Sequence, residues 1–299
     1  DWRKRMSRIN KNDWETRNSK AERFVRRMLL FMTGLLLIVV AGAALLASYR
    51  ERAEEAEEFR EIAALVVTPD LAVNLQTTPA SIAQAEELQA TLDPVCSPAQ
   101  TVTEQENANV LNRFTELLTQ NCDLGGWVKI DDTAIDYPVM FTPDEPERYI
   151  HLAFSKKKSM SGVPFIGEGG MIQPRSDNIV LYGHHMKNGT MFAVIVRYQD
   201  KEFWREHPVI HFSTLYDEGD YEIFAALETD IRAAKTLRCY TFINAKDEAD
   251  FQDYLNGIRR AELYDTGIEV AYGDDLITLS TCAYHTNDGR FVIVARRKG

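Results

Sequence analysis

Three kinds of hydrophobic pattern succeed one another along the chain. Residues 29–48 (LLFMTGLLLIVVAGAALLAS) form a stretch without a charge over twenty positions. As a helix rising about 1.5 Å per residue they span roughly 30 Å, the hydrocarbon thickness of a bilayer. Residues 49–67 are rich in Ala and Glu without Gly or Pro, which predicts a helical stalk. Residues 68–103 hold Pro69, Pro79, Pro94 and Pro98 among Thr, Ser, Gln and Ala, and read as a linker with one short helix at 81–92. In 104–120, Val110, Leu111, Phe114, Leu117 and Leu118 recur at helical spacing, predicting an amphipathic helix that must cover something.

From Asp123 onward the pattern changes to short runs punctuated by Gly, Pro and Asn-Gly. Strands are predicted at 126–130, 134–140, 163–166, 178–182, 209–213, 219–227, 269–271, 275–280 and 290–295. Spacing of this kind indicates an all-β barrel or sandwich, and about 180 residues suffice for one core. Two helical insertions interrupt it, at 191–207 and at 248–260, where Phe251, Tyr254, Leu255 and Ile258 share a face.

Charge divides the chain at the apolar stretch. Ten of the 34 Lys and Arg but only four of the 45 Asp and Glu precede residue 29, so the rest of the chain carries a net charge of about −17. A basic tail of 1–28, an apolar span of 29–48 and Glu51, Glu54, Glu55, Glu57 and Glu58 soon after it place the N-terminus in the cytoplasm and the remainder outside. A cleaved signal peptide shares this order, but its apolar core is about 7–15 residues, so a retained anchor is the reading. The sequence opens on Asp1 rather than Met, so a start further upstream is expected. The acidic outer part has no attraction for nucleic acid or anionic lipid, and favours cationic, amine-bearing partners within the roughly 8 Å that physiological salt leaves unscreened.

The chemistry concentrates in 276–297 (LITLSTCAYHTNDGRFVIVARR), two apolar runs joined by the turn residues Asn287, Asp288 and Gly289. Cys282 ends the first run and Arg290 begins the second, so a thiol and a guanidinium meet at the mouth of a hairpin. A lone Cys in a strand is commonly a small buried hydrophobe, but a thiolate beside a cation is a nucleophile with its charge supported. A second apolar run ends in Gly183-His184-His185. The two imidazoles alternate faces, so only one can point towards Cys282, and periodicity leaves the choice open. Zinc is a rival use of His184, His185, Cys282 and His285, but residues 282 and 285 on one strand face opposite sides and no familiar ligand interval is present. The four cysteines, Cys96, Cys122, Cys239 and Cys282, show no C-x-x-C spacing; a Cys96–Cys122 bridge is conceivable outside the cell, and a nucleophilic Cys282 must be unpaired.

TLSTC at 278–282, an Arg eight residues later, YGHHMKNGTMF at 182–192, GWVKI at 126–130 and IDYPV at 135–139 together resemble the sortases, the cysteine transpeptidases of Gram-positive cell envelopes, and within them class B. The resemblance covers about 107 to the C-terminus. It implies a closed β-barrel of about eight strands with an N-terminal amphipathic helix, and it puts the helix at 248–260 in a loop that walls the substrate groove. The domains implied are a cytoplasmic tail (1–28), a transmembrane helix (29–48), an extracellular stalk and linker (49–103) and a catalytic domain (104–299).

The sortase pattern places its catalytic histidine directly after the glycine, which maps to His184, leaving His151, His185, His207, His211 and His285 as structural or exposed. Cys282 is then the nucleophile, His184 the general acid and base, and Arg290 the donor to the oxyanion and substrate. Tyr182 and Ser280, each two residues before one of these, face the same side and are expected to line the groove. By looser resemblance Ile150 and Leu237 hold the signal peptide. No cofactor or metal is implied. The partners implied are surface proteins with a C-terminal sorting signal of Asn-Pro-x-Thr type, cut after Thr, and an amine acceptor from a cell-wall precursor or a pilin lysine. Two other functions fit the same residues: a Cys-His hydrolase that releases its product to water, and an anchored binding module whose Cys is inert.

Overall fold

The computed structural model describes residues 2–67, 110–230, 237, 239, 241–282 and 289–299, with only the backbone of residues 2–25, 51, 52 and 282. The predicted short helix at 81–92, Cys96, residues 104–109 and His285 lie outside these. Two compact units are present, Asp1–Glu58 and Phe59–Gly299.

The first unit is the greater part of helix α1 (Trp2–Val67). Within it Leu29, Leu36, Leu37, Ile38 and Val39 are exposed, and the stretch Arg26–Val66, with a mean hydropathy of 2.7 over its most apolar window, is long and apolar enough to cross a membrane. The last turns of α1 belong to the second unit. Ile62 is buried in its core, Phe59, Ala63 and Val66 pack around it, and the Phe59 ring meets Tyr137 edge-on at 5.2 Å. Positions 59, 62, 63 and 66 make one helical stripe, so this part of the expected stalk is an apolar face seated on the core rather than a free tether.

The second unit is a closed barrel. Its strands are β1 (Leu124–Lys129), β2 (Asp136–Met140), β3 (Phe165–Ile166), β4 (Asn178–Tyr182), β5 (Val209–Thr214), β6 (Glu218–Asp230), β7 (Leu276–Cys282) and β8 (Gly289–Arg297), in the order β1-β2-β3-β4-β7-β8-β6-β5. Eight strands closing on themselves meet what the resemblance implied, and decide for the barrel over the sandwich that the strand pattern had left open. The pairs β2/β3 and β4/β7 are parallel and the others antiparallel.

The continuous apolar runs are strands buried on both faces. In β8, Phe291, Ile293 and Ala295 point into the main core, while Val292 and Val294 join Phe224, Leu227 and Leu276 in a second cluster. Helix α4 (Glu248–Ala261) covers that second cluster with Phe251, Tyr254, Leu255 and Ile258, the face read from the sequence. Asp247 starts it by accepting from the Asp250 N–H at 2.9 Å.

Three predicted elements take a different form. Within 104–120 the described part is a 3-10 turn, Asn112–Phe114, followed by the short helix α2 (Thr115–Gln120). The insertion at 191–207 divides into a 3-10 segment, Phe192–Gln199, and α3 (Lys201–Glu206), because Asp200 takes an extended conformation and its side chain caps α3 through the Glu202 N–H. Residues 269–271 join no ladder: Ile268 and Val270 pack against the second cluster, so their alternation reports one-sided burial and not strand pairing.

Candidate active site

Backbone pairing brings three of the sequence's candidates side by side. Parallel β4 and β7 run in register with Tyr182 opposite Ser280. The alignment persists one residue further, where the Gly183 N–H donates to the Ser280 carbonyl at 3.2 Å and the Thr281 hydroxyl donates to the Gly183 carbonyl at 2.7 Å. His184 therefore leaves β4 level with Cys282. On the other side of β7, antiparallel pairing sets Cys282 opposite Arg290. His184, Cys282 and Arg290 thus lie in a row across β4, β7 and β8. Thr281 is a member of this arrangement that sequence reasoning missed; its neighbouring position in TLSTC was visible, its bond to residue 183 was not.

His184 and Arg290 from this row line a cavity of about 840 Å³. Tyr182, His184, Ser280 and Arg290 line it, as does Ile150 from the 3-10 turn Arg148–His151. Leu237 is not among the lining residues; it packs, partly buried, against the second hydrophobic cluster. The loop between β6 and β7, which carries α4, contributes Thr241 and Ile243 to the cavity.

Each lining group has a defined setting. The His184 ring is half-buried, and its Nε2 lies 2.8 Å from the Ile150 carbonyl. A carbonyl can only accept, so Nε2 carries the proton there. The His151 ring stacks on His184 with centroids 5.5 Å apart and planes 20° from parallel. Arg290 is half-buried, donates from Nη1 to the Gly289 carbonyl at 3.0 Å and forms no ion pair with any described residue. Burial pushes the Tyr182 phenol up to about 12, with Arg290 acting in the opposite sense. Ser280 is buried, and its Oγ has no hydrogen-bond partner among the described residues.

Two glycines make room for these side chains. A Cβ on Gly167 would sit 2.4 Å from the Tyr182 ring, and one on Gly183 would sit 2.6 Å from the Phe192 ring. The turn that carries Ile150 is held from below by Tyr149, fully buried, whose hydroxyl donates to Asp123 Oδ2 at 2.7 Å and accepts from Asn121 Nδ2 at 2.8 Å. Tyr149→Phe removes both bonds from a buried setting, and the expected loss is about 1–3 kcal/mol of stability. Urea unfolding of the two proteins checks it; an unchanged midpoint would mean the turn is held by packing alone.

Of the remaining cysteines, Cys239 is a buried free thiol whose pKa burial pushes up to about 12, which keeps it protonated and inert at neutral pH. Cys122 is exposed, with its sulfur 3.9 Å from Asp123 Oδ1.

The chain's sequence and its closed eight-stranded barrel both match known proteins. The sortase domain family matches residues 128–298, more than half of the chain, and the chain belongs to the sortase family, whose members are cysteine transpeptidases. Within the family it is of class B. Sortase B of Listeria monocytogenes serovar 1/2a is 33% identical over 189 residues, covering 62% of this chain and 74% of that protein. Sortase B of Staphylococcus aureus is 29% identical over 190 residues, covering 63% of this chain and 75% of that protein. The fold is that of a Staphylococcus aureus sortase B–substrate complex, with a TM-score of 0.63 over 83% of this chain and 98% of that one at 23% identity.

Proposed function

We propose that this chain is a membrane-anchored transpeptidase that cuts a C-terminal sorting signal of Asn-Pro-x-Thr type after its Thr and joins the protein to an amine, either a cell-wall peptide or a pilin lysine. The observation that carries this reading is the backbone register that sets Cys282 between His184 and Arg290, the two of which line the cavity.

The chemistry derives from the residue types. The Cys282 thiolate attacks the Thr carbonyl carbon, and the carbonyl oxygen becomes an oxyanion that accepts from Arg290. Collapse breaks the C–N bond and leaves a thioester, while His184 as imidazolium gives its proton to the departing amine. An acceptor amine then attacks the thioester, His184 takes its proton, and the thiolate leaves. Ile150, whose carbonyl holds the His184 Nε2–H, fixes the ring's direction before substrate arrives. Tyr182 and Ser280 form the floor against which the signal lies. Leu237 is proposed to act from the loop behind this wall, in keeping with its packing on the second cluster.

The proposed setting is the plasma membrane of a Gram-positive bacterium, crossed once by α1 with the basic tail inside and the barrel outside. The apolar helix and the ten basic residues before it support this orientation.

The test uses the full chain in detergent with peptides carrying Asn-Pro-x-Thr and Leu-Pro-x-Thr signals, with and without an added amine, and tracks products by mass. Amine-dependent ligation after Thr is expected with the first set. Cleavage to the free acid whatever amine is added would establish the hydrolase instead, and no thioester on any peptide would leave the inert binding module.

A further inference from the structure

The loop that carries His184 is closed on itself. The His184 carbonyl accepts from the Phe192 N–H at 3.0 Å, and His185 and Met191 face one another in an antiparallel bridge. Met191 is the strained member of this closure. Its backbone takes φ 55° and ψ −133°, the combination that glycine takes at the first central position of a type II′ turn. Of the described non-glycine residues with positive φ, Asp132 and Lys156 reach solvent, whereas Met191 is 2% exposed. A side chain in such a conformation persists only where its surroundings over-determine it.

Tyr137 of β2 supplies part of that hold. Its hydroxyl accepts from the Met191 N–H at 3.1 Å, and the bond is buried. Burial raises the phenol above its ordinary value, so the oxygen accepts as a neutral hydroxyl. The Tyr137 ring is met edge-on at 5.2 Å by Phe59, from the stripe of α1 seated on the core. Contacts therefore run from Phe59 through Tyr137 and the Met191 N–H to the bond between Phe192 and His184. None of Phe59, Tyr137 and Met191 lines the cavity, so their route to the chemistry is through His184.

We propose that Tyr137, backed by Phe59, is a positioning residue for His184: it holds Met191 in its strained turn, which fixes the return of the loop and with it the direction of the imidazole. The Ile150 carbonyl orients the ring from its Nε2 side, and Tyr137 fixes the backbone that bears it. This rests on the reading of His184 as the acid and base of a transpeptidase. It adds that the end of α1, which touches no substrate, helps to set the rate.

Continuity of contacts does not by itself measure coupling, so the test is a double-mutant cycle. It uses the full chain in detergent, a peptide with an Asn-Pro-x-Thr signal and an added amine. Tyr137→Phe keeps the ring against Phe59 and removes only the hydroxyl. Its kcat should fall about tenfold with KM within about twofold of the parent, as for a misplaced catalytic group beside an intact groove. Phe59→Ala should lower kcat about threefold, and Phe59→Leu, which keeps an apolar cover, should recover it. Adding Tyr137→Phe to His184→Ala should change the residual single-turnover rate by less than about twofold, because no imidazole is left to position. A purely structural role would lower the rate alike in both backgrounds. Hydrogen exchange followed by mass reads the loop without turnover. Amides of 184–192 should exchange about tenfold faster in Tyr137→Phe, while those of β7 and β8 keep the parent's rate. Unchanged exchange in 184–192, an unchanged kcat, or an equal loss in the His184→Ala background would overturn the proposal. A parent that ligates no peptide would count against the transpeptidase reading, and the exchange result alone would then decide whether Tyr137 holds the loop.

Discussion

Cys282→Ala is expected to abolish ligation and the thioester together, whereas Arg290→Ala should retain a measurable residue of activity, lower by about 10² to 10³. The difference comes from the two roles proposed for these residues. Without the thiolate no covalent intermediate can form, and the cavity can only bind its peptide. Without the guanidinium the attack still occurs, but the oxyanion forms beside an unoccupied space. Cross-strand pairing holds Arg290 opposite Cys282, and its Nη1 donates to the Gly289 carbonyl. Lys at this position keeps the charge and loses the planar fork, so Arg290→Lys should recover only part of the rate. Single-turnover kinetics with mass detection of the acyl-enzyme would separate the cases. An Arg290→Ala protein that acylates at the full rate would move the oxyanion role to another donor, and a thioester that persists in Cys282→Ala would remove the nucleophile assignment altogether.

The parts of this molecule that could be read from its sequence are those whose pattern is local. β4, β7 and β8 are near-continuous apolar runs because both of their faces are buried, and β4 spans Asn178–Tyr182 just as the run does. Helix α4 was legible because one face packs and the other does not. The illegible parts depend on pairing at long range. The row of His184, Cys282 and Arg290 requires the parallel register of β4 with β7, between segments nearly a hundred residues apart, and nothing in either segment states that register. The contact of Ile150 with His184 is made by a backbone carbonyl, which no side-chain pattern can announce. The cavity lining combines Glu145 and Glu147 with Glu168 from a different loop, so no period connects them. The stripe of Phe59, Ile62, Ala63 and Val66 was present in the sequence, but the Glu-rich helix around it reads equally well as a stalk.

The same substitution, Gly to Ala, should have opposite effects on stability at two positions. Gly126 lies in β1 opposite Thr214 of β5, and a Cβ there would stand 2.0 Å from the Ser213 carbonyl oxygen and 3.1 Å from the Thr214 Cα. These are backbone atoms, so no side chain can rotate out of the way. β1 is also paired on its other edge with β2, and the sheet closes on itself, so β1 and β5 cannot move apart without disturbing the rest of the barrel. Gly126→Ala is therefore expected to cost about 3 kcal/mol or more, at or beyond the upper end of ordinary overpacking. At Gly257, inside α4, the nearest atom to an added Cβ is the Leu237 carbonyl oxygen at 3.7 Å, an ordinary contact. There Ala removes the flexibility of glycine from a helix interior, and Gly257→Ala should stabilise by about 0.5–1 kcal/mol. Urea unfolding of the parent and the two variants measures both signs in one experiment. A Gly126→Ala protein as stable as the parent would show that β1 and β5 can separate, and would count against a barrel whose closure fixes the spacing of every strand, including the three that carry the candidate site.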